Sequence, residues 1–340
     1  MNRDFNALKS FPSFEIANDA IFKRQVLVFS KNYNRVCILD NNYPTAHSRQ
    51  EYIAAIGSSV ELTVNEPKGG FDALKDFSDK HRNHWKFGFL SYDLKNDIEE
   101  LTSENPDYMN FPSLHFFVPE LILYLNKGRV YIKSEEKSAT EIFHRISHES
   151  LDWFNETSVI KANTNLAASP EKQEYIHTIG ELKREIKQGN IYEINYCREL
   201  CGNYPIDPYR SFAAMNDLSR APFSSFYNLT DKFLLCSSPE RFLRKSGDEI
   251  VSQPIKGTRR RSDDKAEDEL LKRQLAEDIK ERAENVMIVD LVRNDLSHTA
   301  ERGSVEVVEL FGIHSFPHVH QMISTVRSRL KKKVHFVDAL

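Results

Sequence analysis

Short apolar runs separated by turn residues dominate the first 135 positions of this 340-residue chain. Gln25–Ser30 and Arg35–Leu39 read as β-strands on either side of a polar Lys31-Asn32-Tyr33-Asn34 turn. Leu114–Val118 and Leu121–Leu125 form a second strand-like stretch, and Asn126-Lys127-Gly128 supplies hairpin chemistry before Val130–Ile132. Pro119 cannot donate to a ladder, so it predicts a break between two strands. From Ser134 to Ala168 the pattern fades into a polar connection, with a helix expected near Thr140–His148.

The period changes in the second half. Ser169-Pro170-Glu171 has the chemistry of a helix start, with Ser as N-cap and Pro in the first turn. Ile176, Ile179, Leu182 and Ile186 then fall at helical spacing, and Gly189 predicts a left-handed cap. Ile191–Leu200 and Phe233–Ser237 read as strands, and Phe242–Arg244 with Ile250-Val251 as a hairpin across Ser246-Gly247-Asp248. A long helical region is expected from about Asp264 to Leu296, with Leu271, Leu275, Ile279, Ala283, Met287 and Leu291 on one stripe. Val305–Phe311 and Val319–Leu330 return to strand. Strands joined by hairpins and punctuated by helices predict an α+β fold rather than a βαβ array. The organisation reads as a β-rich half, 1–150, and a second half, 151–340, intertwined as one domain.

Composition narrows the function. The 46 basic and 50 acidic residues leave a net charge of −4, so no basic field points to nucleic acid. No apolar run approaches membrane-spanning length, and Met1-Asn2-Arg3-Asp4-Phe5 lacks the apolar segment of a signal peptide. The four cysteines, at 37, 197, 201 and 236, lack zinc-knuckle spacing and read as reduced thiols of a cytoplasmic protein.

Three runs carry candidate chemistry. Lys256 sits between Ile255 and Gly257 in Gln253-Pro254-Ile255-Lys256-Gly257-Thr258, after a strand-like stretch. Its plainest reading is a solvated charge; in a dry pocket the same amine becomes a nucleophile. Glu240 ends an apolar strand in Ser238-Pro239-Glu240-Arg241-Phe242 and could simply pair with Arg241 or Arg244. Glu284, in Arg282-Ala283-Glu284-Asn285, borders an apolar stripe, where a carboxylate is costly unless paired or metal-bound. Asp290 and Arg293 are spaced for a structural ion pair, and Arg259-Arg260-Arg261 reads as a solvated basic corner.

These runs, with Lys86–Asp93, Gly189–Asn195 and Lys280–Leu296, together resemble the chorismate-utilising enzymes, from about Trp85 to the end of the chain. The family includes anthranilate, aminodeoxychorismate, isochorismate and salicylate synthases. The resemblance implies two large packed antiparallel sheets with helices outside. It implies that Glu284 is a Mg²⁺ ligand, with Glu281 behind it, and that Glu240 is an acid/base for a departing hydroxyl. It further implies that Gly257 allows close backbone approach to substrate and that Thr258 offers it a hydroxyl. Ser30 is similar to a serine of the family's amino-terminal tryptophan pocket.

Two positions separate the branches. Anthranilate synthases resemble this motif but carry alanine at the place of Lys256. Aminodeoxychorismate synthases carry lysine, which is thought to attack C2 of chorismate. Isochorismate and salicylate synthases carry a base lysine at the place of Glu193, and no lysine lies between Ile191 and Leu200. The resemblance therefore implies an aminodeoxychorismate synthase component I that converts chorismate and ammonia through a Lys256 adduct. Ammonia would come from a separate glutamine amidotransferase subunit, since no cysteine here has that nucleophile's setting. An anthranilate synthase component I, or a non-catalytic chorismate- or tryptophan-binding homologue, is the alternative. Three departures from the family accompany this reading. Arg260-Arg261 stand where proline and arginine are usual. Gln321 takes the place of a family histidine, and His320, one step off, is expected to face the other side of the sheet in a structural role. A glycine-rich segment, a substrate-binding arginine and a second metal glutamate are expected beyond Leu340.

Overall fold

The computed structural model describes residues 8–43, 51–103, 105–135, 137–155 and 166–340. The chain runs β1 (Ser13–Glu15), α1 (Asp19–Ser30), β2 (Arg35–Asp40), β3 (Tyr52–Ile56), β4 (Val60–Val64), α2 (Gly70–Lys80), β5 (Phe87–Leu90), β6 (Leu114–Val118), β7 (Leu121–Asn126) and β8 (Arg129–Ser134). Next come α3 (Ala139–Ser147), α4 (Asp152–Asn155), β9 (Ala167–Ser169), α5 (Lys172–Gln188) and β10 (Glu199–Cys201). The last part holds α6 (Pro208–Ser219), β11 (Phe223–Leu229), β12 (Lys232–Ser238), β13 (Arg241–Ser246), β14 (Glu249–Gln253) and β15 (Ile255–Arg260). It ends with α7 (Lys265–Glu277), α8 (Ile279–Thr299), β16 (Glu306–Ser315) and β17 (Val319–Arg329).

The fold is α+β with large antiparallel sheets. A seven-stranded sheet has the order β1-β8-β7-β3-β2-β11-β12, so β11 and β12 of the second half complete a sheet begun in the first. A three-stranded sheet, β4-β6-β5, packs on it through Phe87 and Phe117 against Ile53, Ile122 and Tyr227. Pro119 lies at the crossing from β6 in one sheet to β7 in the other, which is the break its missing N–H predicts. The five-stranded sheet is built around β17. Its register places β14 and β15 one after the other along one edge and β16 along the other edge. Helix α8 covers this sheet, with Val289 and Leu296 on Ile250, Val326 and Leu330. Contacts divide the chain into a unit formed by Met1–Leu151 with Pro208–Leu340 and a smaller unit, Asp152–Asp207. The smaller unit holds α5, its Gly189 cap at φ 80° and the β9–β10 pair.

Several elements differ from the sequence pattern. Gln25–Ser30 is the second half of α1, not a strand. An apolar run this short fits a buried helix equally well, and Val26, Leu27 and Phe29 are all buried here. The Ser169–Pro170 start is displaced: α5 begins at Lys172 with Glu171 as N-cap, because Ser169 pairs in β9. Within Ile191–Leu200 only Glu199 and Leu200 join a ladder, since β9 pairs only with Glu199–Cys201. The helix near Thr140–His148 is α3, while 156–165 of the expected connection lie outside the described residues.

The long helix from Asp264 is broken in two. The Asp278 side chain accepts from the N–H groups of Lys280 and Glu281 and starts α8 as its N-cap. This turn resets the helical phase, so the expected stripe is not one face. Ile279 is 85% exposed and Leu291 54%, while Asn285, Val289 and Leu296 point inward. The arginine run is not a solvated corner either. Arg259 pairs with Asp278 at 2.6 Å, Arg260 with Glu267, and Arg261 with Asp268 at 2.7 Å, clamping β15 to both helices. Asp290 and Arg293 do pair, at 2.7 Å.

A buried histidine joins the seven- and three-stranded sheets. His115 of β6 is fully buried, with Nε2 3.3 Å from Glu61 Oε2 and Nδ1 2.5 Å from Tyr227 Oη. The carboxylate accepts from Nε2–H, so Nδ1 accepts from the tyrosine hydroxyl. Arg35 holds Glu61 below its usual range, and burial keeps Tyr227 protonated and lowers His115 below its ordinary 6.5. Between that lowered value and 6.5 the unfolded chain binds a proton that the folded chain refuses. This contribution to stability is therefore fully present above 6.5 and is lost as the pH falls through the folded value. Urea melts from about pH 8 to about pH 5 should show a fall in stability of about 1.4 kcal/mol per unit of depression. His115→Gln should flatten that slope, and an unchanged slope would show that another group causes it.

Candidate active site

The second and third candidate runs meet at one irregular stretch of sheet. Ile255 faces Ile323 and Thr258 faces Gln321, so Lys256 and Gly257 stand together opposite Met322. This is a β-bulge, which re-aims a side chain and locally ends regular pairing. Gly257 makes it possible, with φ at +93°. A Cβ there would lie 3.1 Å from Glu281 Cβ and 3.2 Å from Leu275 Cδ1, so the backbone presses against α7 and α8. The close approach at this glycine is to the two helices. Lys256 is half-buried and Thr258 exposed.

Glu240 reaches the same strand. Its carboxylate accepts from the backbone N–H of Ile255 at 3.0 Å, and its own N–H donates to Ser238 Oγ at 3.1 Å. A β12–β13 turn thus holds a carboxylate next to the residue that precedes Lys256. Arg241, the following residue, lies over the Phe223 ring at 5.0 Å and lines a small cavity with Pro239, Gln253, Ile255, Ile323 and His314. Burial lowers its guanidinium below the usual value. In the sequence Arg241 reads only as a partner for Glu240.

Helix α8 brings up the other carboxylates. Glu281, beside Gly257, is 3.6 Å from Arg259. Glu284, one turn on, is partly buried and pairs with Lys280 at 2.7 Å. Their hydrogen bond pushes Lys280 up from its ordinary value. The helix is keyed to the sheet by Asn285, which is fully buried. Its Oδ1 accepts from Ser324 Oγ at 2.5 Å, and Ser324 Oγ accepts from Phe311 N–H at 3.1 Å. Stripping a buried amide of its partner costs about 1–3 kcal/mol, so Asn285 fixes the rotation of α8 and with it the direction of Glu284. This role was legible only as the last letter of the Ala-Glu-Asn run.

No cluster of three or more His, Cys, Asp or Glu suited to a metal occurs among the described residues. One or two carboxylates with water and ligand oxygens is nevertheless the usual provision for Mg²⁺. Glu284 fits that mode, because its partner Lys280 is 73% exposed and free to swing away.

His320 and Ser30 lie apart from this group. His320 is buried, with Nε2 3.0 Å from Asp268 Oδ1 and Nδ1 2.8 Å from Ser315 Oγ. Arg261 holds Asp268 far below the usual carboxylate range, with Ser262 N–H and His320 adding to it. His320 therefore ties β17 to α7, on the face opposite Gln321. Ser30 ends α1, fully buried, and its hydroxyl donates to Leu27 O at 2.8 Å.

The family model described as chorismate binding enzyme matches residues 34–340. Aminodeoxychorismate synthase component 1 of Klebsiella aerogenes is 32% identical over 258 residues, covering 74% of this chain and 56% of that protein. Anthranilate synthase component 1 of Bacillus subtilis (strain 168) is 30% identical over 279 residues, covering 74% and 54%. The chain thus spans about half the length of the curated relatives it matches. The crystal structure of anthranilate synthase component I from Streptococcus pneumoniae TIGR4 shares the fold, with a TM-score of 0.68 at 20% identity over 88% of this chain and 73% of that one.

The glycine at the bulge gives a direct test. Gly303 also has positive φ, at +75°, but nothing lies within 4 Å of a Cβ there. Gly303→Ala isolates backbone strain, of about 1–2 kcal/mol. Gly257→Ala should cost more, about 1–3 kcal/mol beyond that control, because α8 must move as well. Equal losses in thermal melts would mean that the helices yield without cost.

Proposed function

The chain belongs to the chorismate-binding enzyme family, and from that premise we propose that it acts as the synthase component of aminodeoxychorismate formation. The observation that carries this reading is the bulge of β15, where Lys256 stands one residue from the backbone N–H that binds Glu240. An amine and a carboxylate on adjoining backbone are what a substitution at two ring carbons requires. Lys256 Nζ, in its neutral form, bonds to C2 of chorismate as both conjugated ring double bonds shift toward C4 and the C4–O bond breaks. Glu240 protonates the departing hydroxyl, which leaves as water. Ammonia then bonds to C4, both double bonds shift back, the C2–N bond to Lys256 breaks, and the new ammonium returns a proton to the Glu240 carboxylate. The product is 4-amino-4-deoxychorismate, a precursor of para-aminobenzoate and folate.

Thr258 and Gly257 border the substrate, and Arg241 offers charge to a carboxylate. Glu284, with Glu281 beside it, would hold Mg²⁺, whose divalent charge suits the ring carboxylate. Asn285 keeps Glu284 aimed. The relatives named component 1 support a second component, and we assign it the release of ammonia from glutamine. The anthranilate synthase relative keeps amination at C2 as the second reading, and Lys256 separates the two.

Two substitutions test the reading. With ammonium salts as the nitrogen source, Lys256→Ala should lose about a hundredfold or more of C4 amination, the usual scale for a lost covalent or acid–base group. Mass spectrometry of trapped protein should show a chorismate-derived adduct on Lys256 in the wild type alone. Wild-type C4 amination by the variant would refute the nucleophile, and C2 amination by the wild type would favour the second reading. Glu284→Gln keeps the shape and removes the charge. It should raise the Mg²⁺ concentration needed for half-maximal rate by about tenfold or more, the scale for removing a charged ligand interaction. An unchanged Mg²⁺ dependence would refute the ligand.

A further inference from the structure

Lys280 stands against the rules of its own helix. Asp278 is the N-cap of α8, so Lys280 lies in the first turn, where the free backbone N–H groups already place positive charge. It also precedes its acid, and the lysine-first order of an i,i+4 pair stabilises a helix less than the reverse. Helix stability therefore does not account for a lysine at this position.

The carboxylates around it do. Asp278 and Glu281 both face Arg259, at 2.6 Å and 3.6 Å. Arg282 is occupied by the Phe311 ring, 4.5 Å away. Among the described residues, Glu284 is left with Lys280 as its one paired cation, at 2.7 Å. The two ends of that bond differ. The Glu284 side chain is 31% exposed and the Lys280 side chain 73%, so the acid is seated in the protein while the amine reaches it from solvent. A partly buried carboxylate is costly without a cation beside it, and an ammonium on a flexible stem is a cation that can leave.

We propose that Lys280 is a displaceable internal counterion, which neutralises Glu284 in the metal-free protein and competes with the divalent cation for it. The inference rests on the reading of Glu284 as the Mg²⁺ ligand and deepens it. Glu284 exchanges one cation for another, so the affinity of the site is a difference between two contacts and not the strength of one. Arg259 holds Asp278 and Glu281, which confines the exchange to Glu284. Salt screens the outgoing pair as well as the incoming contact, so the net binding of cation responds weakly to ionic strength.

Mn²⁺ takes the same oxygen ligands as Mg²⁺, and electron paramagnetic resonance counts the free ion directly, so the exchange is read without turnover. In the full chain without chorismate, Lys280→Gln should lower the Mn²⁺ Kd about two- to fivefold, the scale of one exposed ion pair. Lys280→Arg should keep the wild-type Kd. Raising NaCl from about 50 mM to about 500 mM should weaken Mn²⁺ binding more in Lys280→Gln than in the wild type, since only the wild type loses a competitor to screening. An unchanged or higher Kd in Lys280→Gln, or equal salt dependence in the two proteins, would overturn the counterion and leave Glu284 as the ligand. A Kd in Glu284→Gln equal to that of the wild type would overturn both.

Discussion

The backbone ladder of β17 is the constraint on which the candidate site depends. A strand has two edges. On β17 one is filled by β14 and then β15, and the other by β16. Side chains alternate, so this register also decides its faces. His320 and Ser324 turn toward α7 and α8, where they meet Asp268 and Asn285. Gln321 and Ile323 turn the other way, with Thr258 and Ile255 as their partners. A slip of one residue would exchange the two sets, burying Gln321 under the helices and freeing His320. The polar anchors make that slip expensive, because each would lose a buried partner.

Charge holds the same region from outside. Arg259, Arg260 and Arg261 are successive residues, yet each has its own carboxylate on α7 or at the start of α8. Exposed pairs of this kind contribute little singly. Arg261 differs, since it binds Asp268 with two nitrogens while His320 and Ser262 bind the same carboxylate. Together the three arginines fix the end of β15 that follows the bulge. The Ile255–Glu240 bond and the Ile255–Ile323 pairing fix the end before it. Lys256 is therefore carried on a short irregular segment with both ends held, which suits a group that must be positioned rather than merely exposed.

Much of this was legible in the residues and some could not be. The hairpins at Asn126–Gly128 and Ser246–Asp248, the Gly189 cap and the two long final strands follow from local turn chemistry and alternation, and all are present. Gln25–Ser30 failed because an apolar run of six residues carries no period of its own. Ile279 and Leu291 failed because a single non-helical residue, Asp278, changes the phase of everything after it. The run Pro-Ile-Lys-Gly-Thr marked the site, but spacing cannot reveal that Lys256 and Gly257 share one place in the ladder. Asn285 and Arg241 act through partners well separated in sequence, Ser324 and Phe223, which a single chain does not display. The smaller unit, whose Gly189–Asn195 run belongs to the family pattern, has its own cap and its own short ladder.

The distribution of irregularity bears on function more than any single contact does. Among the described strand pairs, the seven- and three-stranded sheets keep their register throughout, and every register shift falls in the five-stranded sheet. That sheet also holds the +93° glycine, the +60° phenylalanine and the orphan acceptor of Gln321. The two regions do different work. The regular sheets bury the largest side chains and stabilise the chain, with Phe117, Tyr124 and Phe226 fully covered. The irregular sheet carries local strain, and strain persists only where the surroundings over-determine it. Here the surroundings are the Asn285–Ser324–Phe311 hydrogen bonds and the Arg282 guanidinium lying 4.5 Å over the Phe311 ring. The same helix that presents Glu281 and Glu284 thus also holds the bent strand opposite, so the carboxylates and the bulged backbone are positioned by one set of buried contacts.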